Sequence, residues 1–202
     1  MKALLLSATL LLGTATCALA LEAGSSAFTT RLDDPRAVAL TGAVGDGKAD
    51  DSAALQAAID KAQSDRGEGI VFIPEGRYRI TRTIYVWPAV RVIGWGAHRP
   101  VFVLGDNTPG FSKGVADMVI FTGNRPSSTP RPGRPAYRIP FPPPGMVPPN
   151  PNIGDANPGT FYSAMSNIDF EIGKGNEGAV GIRFHGAQHD YLSHMERRGP
   201  AR

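Results

Sequence analysis

Cysteine is almost missing from this chain: Cys17 is the only one in 202 residues. It sits in an N-terminal apolar stretch, so without that stretch the chain has no thiol, disulfide or cysteine-ligated metal, and its stability rests on packing and hydrogen bonds. Long hydrophobic runs are missing too. The longest mostly apolar stretch, residues 3–12, falls well short of the roughly 20 residues that span a bilayer. Preceded by Met1-Lys2 and followed by Ala18-Leu19-Ala20, it has the layout of a secretory signal peptide over residues 1–20. This predicts a secreted protein, extracellular or periplasmic, with no membrane association after signal removal.

Net charge is also scarce once it is located. The formal +3 is accounted for by Lys2 and by the last seven residues, which hold three Arg against one Glu. A neutral body with 8% aromatics offers no electrostatic footprint for nucleic acid, and none for a polyanionic glycan. Metal-ligand spacing is lacking as well. His185 and His189 are four apart in a strand-rich context rather than on a helix, and His98 and His194 have no sequence partner. Residues 42–48 fit Gly-x-x-x-x-Gly-Lys, but Ala49 stands where the magnesium-binding hydroxyl should be. No metal and no cofactor is expected.

What is present is a short helix followed by many short strands. Asp50-Asp51-Ser52 supplies capping side chains, and Ala54, Leu55, Ala58, Ile59 and Ala62 share one face, predicting a helix over residues 52–64 that Gly67-Glu68-Gly69 ends. From Ile70 on, β-rich runs at 70–73, 77–81, 83–86, 90–93 and 101–104 alternate with Gly and Pro. Connections this short exclude alternating βα units and leave a β-solenoid or a β-sandwich. Two matches at an offset of 27 favour the solenoid: residues 91–96 with 118–123, and 166–169 with 193–196.

Residues 123–159 hold most of the eighteen prolines. They cannot pair into a sheet, so they leave the repeat as a loop insertion. Arg125, Arg131, Arg134, Arg138, Tyr137 and Phe141 lie there, and no acid occurs between Asp117 and Asp155. The segment reads as a groove wall offering cations and rings, or as a solvated polyproline-like loop. Strand texture returns at 164–172, 179–184 and 191–195, and residues 196–202 break the pattern. A repeat ending there leaves an open apolar core, so the chain is expected to be a truncated N-terminal fragment of a longer protein.

The run Gly45-Asp46-Gly47-Lys48-Ala49-Asp50-Asp51-Ser52, followed by Gly69-Ile70-Val71-Phe72-Ile73-Pro74-Glu75-Gly76-Arg77-Tyr78, resembles the opening of the pectate-lyase-like superfamily, which includes rhamnogalacturonase and epimerase-like domains. Residues 161–170 and 179–189 are similar to glycoside hydrolase family 55, which cleaves β-1,3-glucan with two tandem β-helix domains. The resemblance implies an all-β fold, a right-handed parallel β-helix with a short N-terminal capping helix. The divisions it suggests are a signal at 1–20, the cap and first turns at 21–122, the insertion at 123–159, further turns at 160–195 and an atypical tail at 196–202. It implies a secreted protein of polysaccharide-degrading type similar to β-1,3-glucanases, the fragment alone being inactive. The alternatives are a non-catalytic glycan-binding or structural β-helix, and a pectate lyase.

The family's catalytic carboxylate lies in a later region than this chain reaches, so the resemblance carries over no catalytic acid. It does carry over Gln188, through the Ala187-Gln188 segment, as a residue that positions substrate or water. Alternation adds Asp169 and Glu171 on one strand face as an exterior carboxylate pair able to bind sugar hydroxyls or calcium. It also puts Arg183 and His185 together, where an acidic sugar could be met. The expected partner is a polysaccharide or oligosaccharide.

Overall fold

The computed structural model describes residues 24–126 and 153–199. Residues 1–23, Arg131, Arg134, Tyr137, Arg138, Phe141 and the last three residues lie outside them. The described chain forms β1 (Ala37–Ala39), β2 (Asp46–Asp50) and α1 (Ser52–Arg66), then β3 (Gly69–Pro74), β4 (Arg77–Ile80), β5 (Ile84–Val86), β6 (Val90–Trp95), β7 (Val101–Leu104) and β8 (Ala116–Phe121). After the insertion come β9 (Ala164–Ser166), β10 (Asp169–Ile172), β11 (Ala179–Arg183), β12 (Tyr191–Ser193) and β13 (Arg197–Arg198).

The strands form three sheets, ordered β1-β3-β6-β9-β12, β13-β10-β7-β4-β2 and β11-β8-β5. Every strand pairing is parallel. From β3 onward the chain visits the three sheets in turn, so three successive strands make one circuit. Each circuit stacks like residues on like. In the first sheet Val38, Val71, Val92, Met165 and Leu192 form one row. In the second, Tyr78, Phe102 and Phe170 follow one another, with successive rings edge to face at 6.4 and 5.7 Å, a favoured aromatic geometry. The third stacks Ile84, Val119 and Ile182, beside which Phe121 meets Phe184 at 4.7 Å. Apart from the exposed Leu192, these rows enclose one core, and Leu55, Ala58, Ile59 and Ala62 of α1 join it at the N-terminal end.

The helix face and the Gly67 stop are as the sequence predicts, with Gly67 left-handed at φ 77° and its N–H donating to the Gln63 carbonyl. The capping is not. Asp51 holds the N-cap position, but its buried carboxylate turns back to accept the Val44 and Gly45 N–H groups at 2.7 and 3.1 Å. Asp50 instead takes the Ser52 N–H and the Thr81 hydroxyl.

The repeat reading divides in the same way. Ser166 pairs with Ser193 at the expected offset of 27. Ile93 and Ile120, however, lie in different sheets and pair with Ser166 and Tyr85 respectively. Circuits vary in length: Ile70 pairs with Arg91 and Ile84 with Val119, so no fixed period spans the chain. The run 164–172 is two strands, broken at buried Asn167, whose φ of 60° turns the corner. The described start of the tail continues the pattern, because Arg197 and Arg198 pair in parallel with Phe170 and Glu171.

An N-terminal strap ties the corners together. Gly24 and Phe28 carbonyls accept the Arg99 and Gly96 N–H groups, and the Ala27 N–H donates to Asn167 Oδ1 at 2.7 Å. Phe28 covers an outer cluster of Ile70, Phe72 and Ile93. Beneath the strap lies Asp169, fully buried rather than the exterior carboxylate expected from alternation. Its oxygens accept the Gly24 and Glu196 N–H groups. Arg99 Nε lies 2.9 Å away in ion-pair range, with its N–H not aligned on the oxygen, and Arg198 lies at 3.3 Å. Glu171 pairs with Arg77 at 2.7 Å. Both acids are occupied as parts of the scaffold.

Removing one partner of a buried pair leaves the other charge uncompensated. Asp169→Ala is therefore expected to destabilise the protein by about 3–5 kcal/mol, measured by urea unfolding. Tyr78 offers a second check. Burial, with a smaller push from Asp51, raises its phenol from 10.0 to about 12. A group with a raised folded pKa contributes stability below its unfolded value and loses it as pH climbs through the folded one. Wild-type protein should lose on the order of 3 kcal/mol between pH 10 and pH 12 through this group, and Tyr78→Phe should lack that component of the alkaline unfolding curve.

Candidate functional site

The third sheet carries the polar cluster. Tyr85 of β5, Ile120 of β8 and Arg183 of β11 lie in one cross-strand row. Just past the end of β8, the returning foot of the insertion adds a short antiparallel bridge, Thr122 to Asp155. The Gly123 N–H donates to the Gly154 carbonyl, and the Ala156 N–H to the Phe121 carbonyl. Ile153 and Ala156 pack into the core on either side, and this anchorage brings Asp155 to Arg183.

The geometry there is tight. Asp155 Oδ2 accepts from Arg183 Nε at 2.9 Å and Nη2 at 2.5 Å, and His185 Nδ1 lies 2.9 Å from the same oxygen. Asp155 Oδ1 is buried with no partner. The Asp155 hydrogen bond raises the Arg183 pKa, so its charge is fixed and locally matched. The His185 side chain remains 56% exposed. With Nδ1 on the carboxylate, the ring is oriented and its Nε2 is left as the group able to meet a ligand.

Asp117, at the start of β8, lies in the same field. Burial raises its pKa, Arg183 and His185 lower it, and Asp155 raises it further. Its carbonyl accepts the Thr83 hydroxyl at 2.7 Å. Beside the row, Tyr85 and Trp87 stack at 5.7 Å, and the Trp87 indole N–H donates to Asp60 at 2.6 Å. Arg125 lies over Trp87 and donates to the Asp60 carbonyl, so this cation of the insertion is bound to the helix rather than offered to a groove.

Of the residues picked out from sequence, Arg183 and His185 come together as alternation suggests, and Asp155 is the link between them. Gln188 is exposed in the loop between β11 and β12, and its side chain makes no hydrogen bond among the described residues. Asp169 and Glu171 belong to the second sheet and to the ion pairs described above. His98 has a partner after all: its Nδ1 meets Glu75 at 2.7 Å. Among the described residues no group of three His, Cys, Asp or Glu side chains could hold a metal, and no helix is long and apolar enough to cross a membrane. Sequence reasoning passed over Asp155 and Asp117 themselves, although they are the two acids that bracket the acid-free stretch 118–154. That bracketing was the available signal.

A raised carboxyl pKa favours the folded state only while the proton is retained, so the ionised Asp117 opposes folding as pH rises. Asp117→Asn is expected to be more stable than wild type at neutral pH. The difference should vanish below the ordinary carboxylate range near 4, as read from urea unfolding across a pH series.

A family model described as rhamnogalacturonase A/epimerase, pectate lyase-like, matches residues 36–199. A glucan 1,3-beta-glucosidase of Cochliobolus carbonum is 45% identical over 53 residues, 26% of this chain and 6% of that protein. Mannuronan C5-epimerase AlgE1 of Azotobacter vinelandii is 36% identical over 85 residues, 39% of this chain and 6% of that protein. The chain thus matches only a small part of the length of these relatives. Among solved structures, PfbA, a surface adhesin of Streptococcus pneumoniae, is 14% identical with a TM-score of 0.42, over 80% of this chain and 33% of that one.

Proposed function

Because this chain belongs to the rhamnogalacturonase A/epimerase, pectate lyase-like family, we propose that it is the glycan-holding part of a secreted, carbohydrate-active right-handed parallel β-helix. Its polysaccharide is neutral and β-glucan-like. The cyclic visiting of three parallel sheets supports the helix, and the layout of residues 1–20 supports secretion.

One observation carries the choice of ligand: Arg183 is matched by Asp155, and His185 is held beside them with its ring open to solvent. A polyuronate needs unmatched cations, and this cation is already satisfied. Sugar hydroxyls need an oriented donor and acceptor on a rigid sheet, which His185 and its neighbours supply. The glucan 1,3-beta-glucosidase match fits a β-glucan and the mannuronan C5-epimerase match a polyuronate, so the matched Arg183 charge decides between them.

Hydrolysis requires two carboxyl groups facing the scissile bond, one to donate a proton and one to attack or activate water. Asp117 is 8% exposed, and the Asp155 side chain is 12% exposed with one oxygen shared by two partners. Neither is open enough to reach a bound sugar. This chain is therefore read as holding the glycan without cleaving it.

Affinity electrophoresis in laminarin, against alginate and polygalacturonate, tests the reading. Laminarin should retard the protein most and yield no reducing sugar. His185→Ala should weaken retention about 3–10-fold, the worth of one or two ligand hydrogen bonds. Stronger retention by a polyuronate, release of unsaturated uronides, or no retention in laminarin would each overturn it.

A further inference from the structure

Most large apolar side chains among the described residues are buried. Of the six large hydrophobic residues that are exposed among the described residues, three are rings, Phe161, Tyr162 and Tyr191, and the first two lie together at one corner. None of the three belongs to either apolar cluster. Tyr162 and His189 stack face to face at 5.1 Å and 6°. Phe161 lies 6.4 Å from Tyr162, and the Arg91 guanidinium lies 6.0 Å from the Tyr162 centroid.

Both stacked residues hold left-handed backbones, Tyr162 at φ 63° and His189 at φ 66°. That region is unfavourable for a bulky side chain and persists only where the surroundings impose it. Here Asp190 imposes it, accepting the Ser163 N–H at 2.7 Å and the Ala187 N–H at 2.9 Å. The Thr160 carbonyl shares the Ala187 N–H, and the Tyr191 N–H donates to the Ser163 carbonyl. The strained rings pack on each other outside the core, so the strain holds a ring pair at the surface.

We propose that this corner is a second glycan subsite, in which the exposed rings of His189, Tyr162 and Phe161 take the apolar face of a neutral pyranose and Arg91 reaches its hydroxyls. The inference rests on the neutral-glycan reading and extends it. The loop that carries His185 at its start carries His189 near its end, and Gln188 stands exposed between them. One glycan chain can therefore run from the third sheet, past Gln188, onto the rings beside the first sheet. Gln188 bridges the two subsites.

The test uses the full chain titrated with laminari-oligosaccharides of increasing length, followed by calorimetry and by the proton signal of the His189 ring. In the wild type that signal should shift on titration. Tyr162→Gly suits the φ of 63°, so it removes the ring without adding strain. It should lower affinity about 3–10-fold for long oligosaccharides while leaving the thermal midpoint no lower. Tyr162→Phe should bind within about twofold of wild type, because the stacking face is kept. Should Tyr162→Gly fail to fold, His189→Gly reads the same loss. Undiminished binding by the glycine variants, with His185→Ala still weakened, overturns this subsite alone. No binding of any oligosaccharide by wild type overturns both this inference and the reading beneath it.

Discussion

Parallel pairing in register is the constraint on which everything else in this protein depends. Once β4 lies beside β7 and β7 beside β10, Tyr78 must meet Phe102, and Phe102 must meet Phe170. An inward side chain is therefore packed mainly by its counterparts in neighbouring circuits, so a row is only as good as its worst member. The chain answers with rows of similar shape: valines and Met165 in the first sheet, rings in the second, branched aliphatics in the third. With no disulfide available to the described residues, these rows and the backbone ladders carry the stability.

The same constraint explains why charges appear in ordered places. Corners and outward rows also stack, and there the repeated group is polar. Asn167 donates to the Gly94 carbonyl and to Ser26, and accepts from Ala27, thereby joining a neighbouring circuit and the strap. Asp169 does the same with charge, gathering Arg99, Arg198 and two backbone N–H groups. A carboxylate with this many partners can be kept fully buried, whereas an unpartnered one could not. In the second sheet the aromatic row continues in register from Phe170 to Arg197, which is exposed.

How much of this was legible in the sequence follows from which signals are local. The helix face, its glycine stop and strands such as Val101–Leu104 are written in short patterns, and they appear where those patterns place them. The family opening, residues 45–78, is local too. Partners that depend on register were not legible. Asp169 looked solvated because alternation says which side a residue faces, not what lies on that side, and the covering strap comes from residues 24–28, about 140 positions earlier. The offset of 27 worked for Ser166 and Ser193 and failed for Ile93 and Ile120, because connections of different lengths separate neighbouring circuits. Asp50 and Asp51 met the composition rule for a helix cap, yet the nearer demand of the Val44 and Gly45 N–H groups took the Asp51 side chain.

The division of labour between sheets and connections explains where a ligand site can form. Residues within a strand are committed to rows, and altering one disturbs its neighbours above and below. Connections are free of that rule, and the proline-rich insertion after β8 is the longest departure from it. Its foot returns as an antiparallel bridge at Thr122 and Asp155, which delivers a carboxylate to a strand arginine that no pattern in β11 could have supplied. The loop after β11 adds His185 and, near its end, His189, which stacks on Tyr162 of the connection before β9. Both polar features therefore sit on connections whose ends are pinned by the rigid sheets, the arrangement in which a loop can carry chemistry without loosening the core.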